Sequence, residues 1–136
     1  MLFRSLFDEG ALRTYFIDTY YGRKLQARPT TGGPSNLAWR LGGKDRAGLL
    51  ADLGEGILVT GFLGGNSSAL TGDFSFGVQG FRVRGGQLAE PLSEMNISGN
   101  QLDFWTRLVA VGNDPYAYST SRTPTLVFEG VQFAGT

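Results

Sequence analysis

The sequence contains no histidine and no cysteine. Catalytic zinc sites in proteins use at least one of these two residues, usually together with carboxylates. Their absence excludes a catalytic zinc site within this chain, and also a nucleophile activated by histidine. Without cysteine there is no disulfide, so nothing in the sequence indicates an oxidising compartment. We therefore expect no catalytic residue, no metal ligand and no cofactor in this chain.

Charged residues are also scarce, at 18% of the 136 residues, against about 25% in an average soluble domain. Lysine and arginine together number 12, as do aspartate and glutamate, and the formal net charge is +0. The basic residues are scattered, whereas a nucleic-acid surface normally shows a basic stripe. No apolar run reaches the roughly 20 residues that cross a bilayer. The sequence predicts a cytoplasmic protein with no nucleic-acid partner and no membrane association.

Glycine, by contrast, is abundant, with 21 residues. The glycines interrupt runs of valine, isoleucine, leucine and phenylalanine, as glycines at turns and bulges of a sheet do. The pattern predicts a mainly β fold with a minor α+β character, in which antiparallel sheets form a sandwich or a barrel-like arrangement. We expect residues 1–136 to form a single β-rich domain.

Alternating or continuous apolar segments predict the strands. A change of phase at Gly80 predicts a β-bulge. Tight hairpin turns are expected at Asp8-Glu9-Gly10 and at Gly85-Gly86. The run at 56–63 is almost wholly apolar and favours a strand that is buried on both faces, followed by a polar loop at 64–72. The predicted strands are residues 11–17, 36–41, 56–63, 74–84, 88–98, 125–129 and 131–134.

Three helices are predicted from capping residues and apolar periodicity. Asp18 or Thr19 caps a short helix over residues 20–25, and Asp45 caps another that continues to Leu53. The clearest helix is expected near 100–111, with Asn100 as its N-cap. In that helix one face would carry Leu102, Trp105, Leu108 and Val109.

Several polar groups invite a functional interpretation that the spacing does not support. Asp73, with Asn66 and the serines after it, offers oxygen ligands for Ca²⁺ or Mg²⁺, but the spacing differs from that of an EF-hand loop. We expect Asp73 to accept backbone N–H groups of its own loop. The glycines nearby lack the lysine of a phosphate-binding loop.

The aromatic residues give a second set of candidates. Trp39 and Trp105 stand at strand or helix spacing, which favours a place in the core. Tyr116 and Tyr118 lie two residues apart beside Pro115, so one face of that segment presents both rings. We interpret the two tyrosines as surface contacts.

Short motifs follow one another along nearly the whole chain. The most specific are residues 56–61, Asn66, Thr71-Gly72-Asp73-Phe74-Ser75-Phe76-Gly77 and Gly80-Phe81. Others occur at residues 10–25, 33–36, 86–91, 94–100, 109–114 and 124–135. In this order they resemble the PmbA/TldD family, whose members have long been called modulators of DNA gyrase.

The resemblance implies the C-terminal portion of a longer protein in a metallopeptidase family that acts in peptide maturation and proteolysis. Zinc-binding members carry a His-Glu-x-x-x-His helix upstream of this region and a late cysteine. Where that cysteine is sought, this sequence offers Ser119, Ser121 and Thr123, which are poor zinc ligands. The chain is thus similar to the non-zinc PmbA/TldE branch, and zinc is expected only in the zinc-bearing member or partner.

The resemblance also implies the partners: a homo- or hetero-oligomer with a TldD-like subunit, and a peptide substrate. Because an extended peptide can add to a sheet edge whatever its sequence, we expect small and polar residues to contact it. The expected contacts are Gly64, Gly65, Asn66, Thr71, Asp73, Ser75, Asn96, Asn100 and Asn113. The alternatives are a free-standing β-sandwich module that binds carbohydrate or peptide through Tyr116 and Tyr118, and a structural dimerisation domain.

Overall fold

The computed structural model describes residues 5–135. Short helices are interspersed among antiparallel strands, so the mainly β fold class is confirmed. Within the described residues the sheets do not close into a barrel. The elements are β1 (Phe7–Asp8), β2 (Ala11–Leu12), α1 (Thr19–Lys24), β3 (Leu37–Ala38), α2 (Arg46–Leu53), β4 (Gly56–Ser67), β5 (Asp73–Arg84), β6 (Gln87–Asn100), α3 (Gln101–Thr106), β7 (Leu108–Val111), β8 (Ser121–Arg122), β9 (Leu126–Phe128) and β10 (Phe133–Ala134).

Contacts divide the chain into two compact units. The first comprises the residues up to Ala38 together with Ser119–Ser121. It begins with the predicted hairpin, in which Phe7 pairs with Leu12. The turn takes positive φ angles, 49° at Glu9 and 76° at Gly10, as a two-residue hairpin turn requires.

The strand predicted over residues 11–17 ends early, at Leu12. Further on, the Thr30 hydroxyl donates to the Tyr15 carbonyl at 2.6 Å and accepts the Ile17 N–H at 2.9 Å. One side chain therefore satisfies backbone groups that a neighbouring strand would otherwise satisfy. The predicted strand at 36–41 is likewise reduced to β3.

The first unit also contains α1, which confirms the predicted short helix. Asp18 is its N-cap, and the Asp18 carboxylate accepts the Tyr21 N–H at 2.7 Å. This bond satisfies one of the amide groups that the first turn of a helix leaves without a partner.

The second unit comprises Trp39–Tyr118 and the residues from Arg122 onward. Its main sheet has the strand order β10-β6-β5-β4, and every pairing is antiparallel. The core lies on one face of this sheet and consists of Phe74, Val78, Met95 and Ile97. These residues alternate along β5 and β6, as a sheet with one buried face requires.

Strand β4 differs from its prediction in length and in burial. It lies at the edge of the sheet, and its residues are half-buried near Gly56 and exposed toward Ser67. The predicted burial on both faces is therefore wrong. The predicted loop also begins too early, because residues 64–67 belong to β4 and only 68–72 connect it to β5.

The irregularity predicted at Gly80 is confirmed. Val59 pairs with Gly80 and Gly61 with Gln79, which leaves Thr60 without a residue opposite it on β5. The extra residue of this bulge is thus on β4. The Gly85-Gly86 turn between β5 and β6 is also confirmed, with φ angles of 54° and 76°.

Helix α2 was predicted correctly from its caps. The Asp45 carboxylate accepts the Gly48 N–H at 2.9 Å, and Gly54 ends the helix with a φ of 67°. Its buried residue is Leu49.

The helix predicted near 100–111 is wrong in extent. Asn100 is the N-cap, and its side-chain oxygen accepts the Leu102 N–H at 3.0 Å, but the helix ends at Thr106. Residues 108–111 instead form β7, which pairs with β9. Two valines in this segment favour a strand because they are β-branched. The apparent helical face therefore combined residues of two different elements.

Candidate functional site

Polar side chains predicted to contact peptide converge at one end of the main sheet. β4 ends there, β5 begins there and β6 ends there, because neighbouring strands are antiparallel. Asn66 stands opposite Ser75, and the Asn96 side-chain amide donates to the Ser75 hydroxyl at 3.2 Å. We call this cluster the polar sheet end; it consists of Asn66, Thr71, Asp73, Ser75, Asn96 and Asn100.

Asn100 joins the connection between β4 and β5 to the end of β6. Its side-chain amide donates to the Thr71 carbonyl at 2.8 Å and to the Asp73 carboxylate at 3.0 Å. The hydrogen bond from Asn100, followed by one from Thr71, lowers the pKa of Asp73. Asp73 therefore accepts side-chain donors, and the expectation that it accepts backbone N–H groups of its own loop is wrong.

Gly64 and Gly65 lie on β4 just before Asn66. Both have positive φ angles, 113° and 148°. A Cβ atom at Gly65 would collide with the Ser75 carbonyl oxygen. Glycine at this position therefore has a structural reason, which holds whether or not a peptide binds.

Asn113 is the one predicted contact residue that the structure does not bring to the polar sheet end. Its backbone N–H donates to the Lys44 carbonyl at 2.8 Å, and its side-chain amide donates to the Gly43 carbonyl at 3.2 Å. These bonds tie the turn after β7 to the segment before α2.

The sequence interpretation missed a large apolar groove of about 1140 Å³ in the second unit. Residues from α2, β4, β5, α3 and β9 line it. Five successive residues of β4, from Gly56 to Thr60, take part. Because side chains alternate between the two faces of a strand, a run of five means that backbone atoms of β4, as well as side chains, line the groove.

Aromatic rings form one wall of the groove. Phe104 stacks on Phe128 with ring centroids 4.3 Å apart, and it meets Phe74 edge-on at 5.4 Å. Trp105 contacts Phe128 at 5.5 Å and Trp39 at 5.9 Å. Trp105 is 46% exposed, so the prediction that it lies in the core is wrong. The groove was not predicted because its lining comes from segments far apart in the sequence.

Tyr116 and Tyr118 are exposed, as predicted. Their relative exposures are 63% and 91%, and their rings meet edge-on at 5.7 Å. They do not line the groove.

The residues of this chain do not fit a zinc ion. Histidine and cysteine are absent from the sequence, and no three carboxylates cluster closely enough to hold a metal among the described residues. None of the helices in the described part of the chain has the length and apolar character to span a bilayer.

Comparison with known proteins places these features in a family. Residues 3–135 match the model of the PmbA/TldA metallopeptidase C-terminal domain. Metalloprotease PmbA of Escherichia coli O157:H7 is 35% identical over 136 residues, which make up 97% of this chain and 30% of that protein. These matches define the chain as the C-terminal domain of a metallopeptidase family.

Comparison with solved structures supports the same family. A crystal structure described as a modulator of DNA gyrase from Bacteroides thetaiotaomicron superposes with a TM-score of 0.91 at 53% identity, over 98% of this chain and 30% of that one. TldE from Thermococcus kodakarensis shares the fold, with a TM-score of 0.83 at 21% identity, over 96% of this chain and 33% of that one. The chain belongs to the PmbA/TldD family, and it spans about 30% of the length of the curated relatives it matches.

Proposed function

We propose that this domain is a non-catalytic component of a PmbA/TldD-type peptidase that accommodates extended peptides and takes part in assembly. The observation that carries the proposal is that β4 borders the apolar groove and, among the described residues, has a strand partner only on its β5 side. An edge strand presents a row of backbone N–H and C=O groups that an added strand can satisfy.

The two edges of the main sheet differ in how they are protected. From Ile57 to Ser67, β4 contains no proline and no charged residue. The open part of β6 carries Glu90, Pro91 and Glu94, the last with a positive φ of 58°. Proline and charge oppose strand addition. Of these two edges, β4 is therefore the one suited to receive a peptide.

The polar sheet end extends the same surface. A peptide paired with β4 in the groove and continuing along that strand would reach Gly64, Gly65 and Asn66. The side-chain amide of Asn66, which is not bonded within the polar sheet end, can then hydrogen-bond its backbone without selecting its side chains.

Assembly is proposed with a zinc-bearing, TldD-like subunit, or with a second copy of a protein of this branch. The donor set of this chain does not fit zinc, so the hydrolytic centre would belong to another part of the assembly. The exposed Tyr116 and Tyr118 pair supports this arrangement, since tyrosine is enriched among the residues that dominate binding energy at interfaces.

Replacing Thr60 tests the β4 edge directly. Thr60→Pro removes one N–H group of the edge strand and restricts its backbone, at a bulge where no β5 residue stands opposite and where proline is best tolerated. The matched control, Thr60→Val, keeps the β-branched shape. We expect the proline variant to lose at least about tenfold in affinity for extended peptides, measured by fluorescence anisotropy, and the valine variant to bind normally.

Two results would oppose the proposal. Equal peptide affinities of the proline and valine variants, both folded by circular dichroism, would exclude the β4 edge. Binding of glycans in place of peptides would favour the free-standing carbohydrate module.

A further inference from the structure

The groove contains few charged side chains, and most of them have a partner. Glu55 accepts the Gly85 N–H at 3.0 Å. The Arg82 guanidinium lies 3.0 Å from the Glu90 carboxylate. Among the residues that the structure describes, the charged ones that line the groove are Arg46, Glu55, Arg82 and Glu129.

The other two, Arg46 and Glu129, differ in whether they interact with a charged group of this chain. The positive charge of Arg46 contributes to lowering the pKa of Asp114, so it acts on a carboxylate of this chain. Glu129 directly follows β9 and is exposed. Its backbone N–H donates to the Arg107 carbonyl at 3.0 Å, but its carboxylate has no hydrogen bond or ion pair among the described residues. The rim of the groove thus carries a carboxylate available to a ligand.

The apolar lining constrains the rest of such a ligand. Ile57 and Val59 of β4 pack toward the core cluster. A strand added beside β4 would turn every second side chain to that same face. Those side chains would meet the leucines of α2 and the rings of Phe104 and Phe128, whereas the alternate ones would point to the opposite face of the sheet.

We propose that this groove selects extended peptides that have apolar side chains at alternate positions and a lysine or arginine placed to contact Glu129. The inference rests on the proposed function and adds a substrate class to it. The lysine or arginine is inferred from charge complementarity to Glu129. The apolar side chains at alternate positions are inferred from the apolar lining on one face of the sheet.

The test uses the 136-residue chain and three synthetic peptides of about eight residues, long enough to pair with β4 from Gly56 to Phe62 at ~3.4 Å per residue. The first peptide alternates apolar and polar residues and carries one lysine. The second replaces that lysine with glutamine. The third keeps the composition of the first but groups its apolar residues together. Each affinity is measured at low and at high salt.

We expect the lysine peptide to bind about twofold to fivefold more tightly than the glutamine peptide at low salt, as for an exposed ion pair. High salt should remove this difference. Glu129→Gln should also remove it, whereas Asp52→Asn should preserve it. Asp52 is a matched control because its carboxylate pairs with Lys44 at 2.6 Å and lies outside the groove. The peptide with grouped apolar residues should bind more weakly than the first.

The outcomes separate the inference from the proposed function. If all three peptides bind the unmodified chain equally, the proposed selectivity for alternating apolar peptides with a cationic residue is wrong, whereas the proposal that the domain accommodates peptides is retained. A lysine preference that persists in Glu129→Gln likewise overturns the role of Glu129. If none of the peptides binds, the proposed function itself fails.

Discussion

Among single residues, Asp114 shows how one carboxylate can hold a turn against a strand. It accepts the Thr125 backbone N–H at 3.0 Å and the Thr125 hydroxyl at 2.7 Å. The Gly112 N–H donates to the Thr125 carbonyl at 2.7 Å, which closes the same junction. Burial raises the pKa of Asp114, but the hydrogen bonds from Thr125 and the charge of Arg46 outweigh this effect, and the pKa is lowered overall.

Asp114→Asn should therefore lower the free energy of unfolding by about 1–3 kcal/mol near neutral pH, because it weakens hydrogen bonds to a charged group. A folded-state pKa below the ordinary value of 3.8 means that the carboxylate stabilises the fold above that value, and that this contribution is lost as the pH falls through the folded-state pKa. The difference in free energy of unfolding between the unmodified chain and the variant should therefore become smaller in acid. Urea unfolding at several pH values measures it, and a difference that stays constant into acid would contradict this role.

The candidate site illustrates what could be predicted for single residues. The local sequence was sufficient to predict Asp73 and Asn100 as candidate site residues. The bond between them spans 27 positions in the sequence, so only the register of β5 against β6 reveals it. Asp45 and Asn100 were predicted correctly as caps, and Asp18 was one of the two candidates for α1, because an N-cap bonds an amide two or three residues away.

Among the secondary-structure elements, the errors share a physical cause. The segment at 101–111 contains apolar residues at helical spacing, yet its second half pairs with β9. The uncharged run in β4 favoured a buried central strand, and the structure places it at an edge. An apolar run indicates that a strand has apolar surroundings, but it does not show whether those surroundings are a neighbouring strand or the lining of a groove. The hairpins were predicted correctly because their turn residues are adjacent in sequence.

The turn between β5 and β6 packs closely against α2. Gly86 has a φ of 76°, and a Cβ atom there would lie 2.8 Å from the Cα atom of Ala51. Gly86→Ala should lower the free energy of unfolding by about 1–3 kcal/mol, from backbone strain and overpacking together. Gly43→Ala is the control because a Cβ atom at Gly43 would meet nothing within 4 Å. Equal effects of the two changes on the urea midpoint would show that the contact with α2 is unimportant.

For the whole molecule, the family assignment rests on motifs spread over almost the entire chain and on the agreement of the fold with solved relatives. The groove could not have been predicted from those motifs. It forms only when α2, the main sheet and the β7–β9 pair are in place. The proposed contribution to peptidase function therefore belongs to the assembled surface and to no single motif.

The central proposal is that an extended peptide adds to the edge of β4, and hydrogen–deuterium exchange with and without an alternating apolar peptide tests it most directly. Amides of β4 that face away from β5 have no strand partner in the described chain, so a paired peptide should slow their exchange. We predict that peptide binding slows exchange within residues 56–62 and leaves the β6 segment around Pro91 unchanged. Slower exchange only around Tyr116 and Tyr118, or no change in β4 at a peptide concentration that saturates binding, would contradict the proposal.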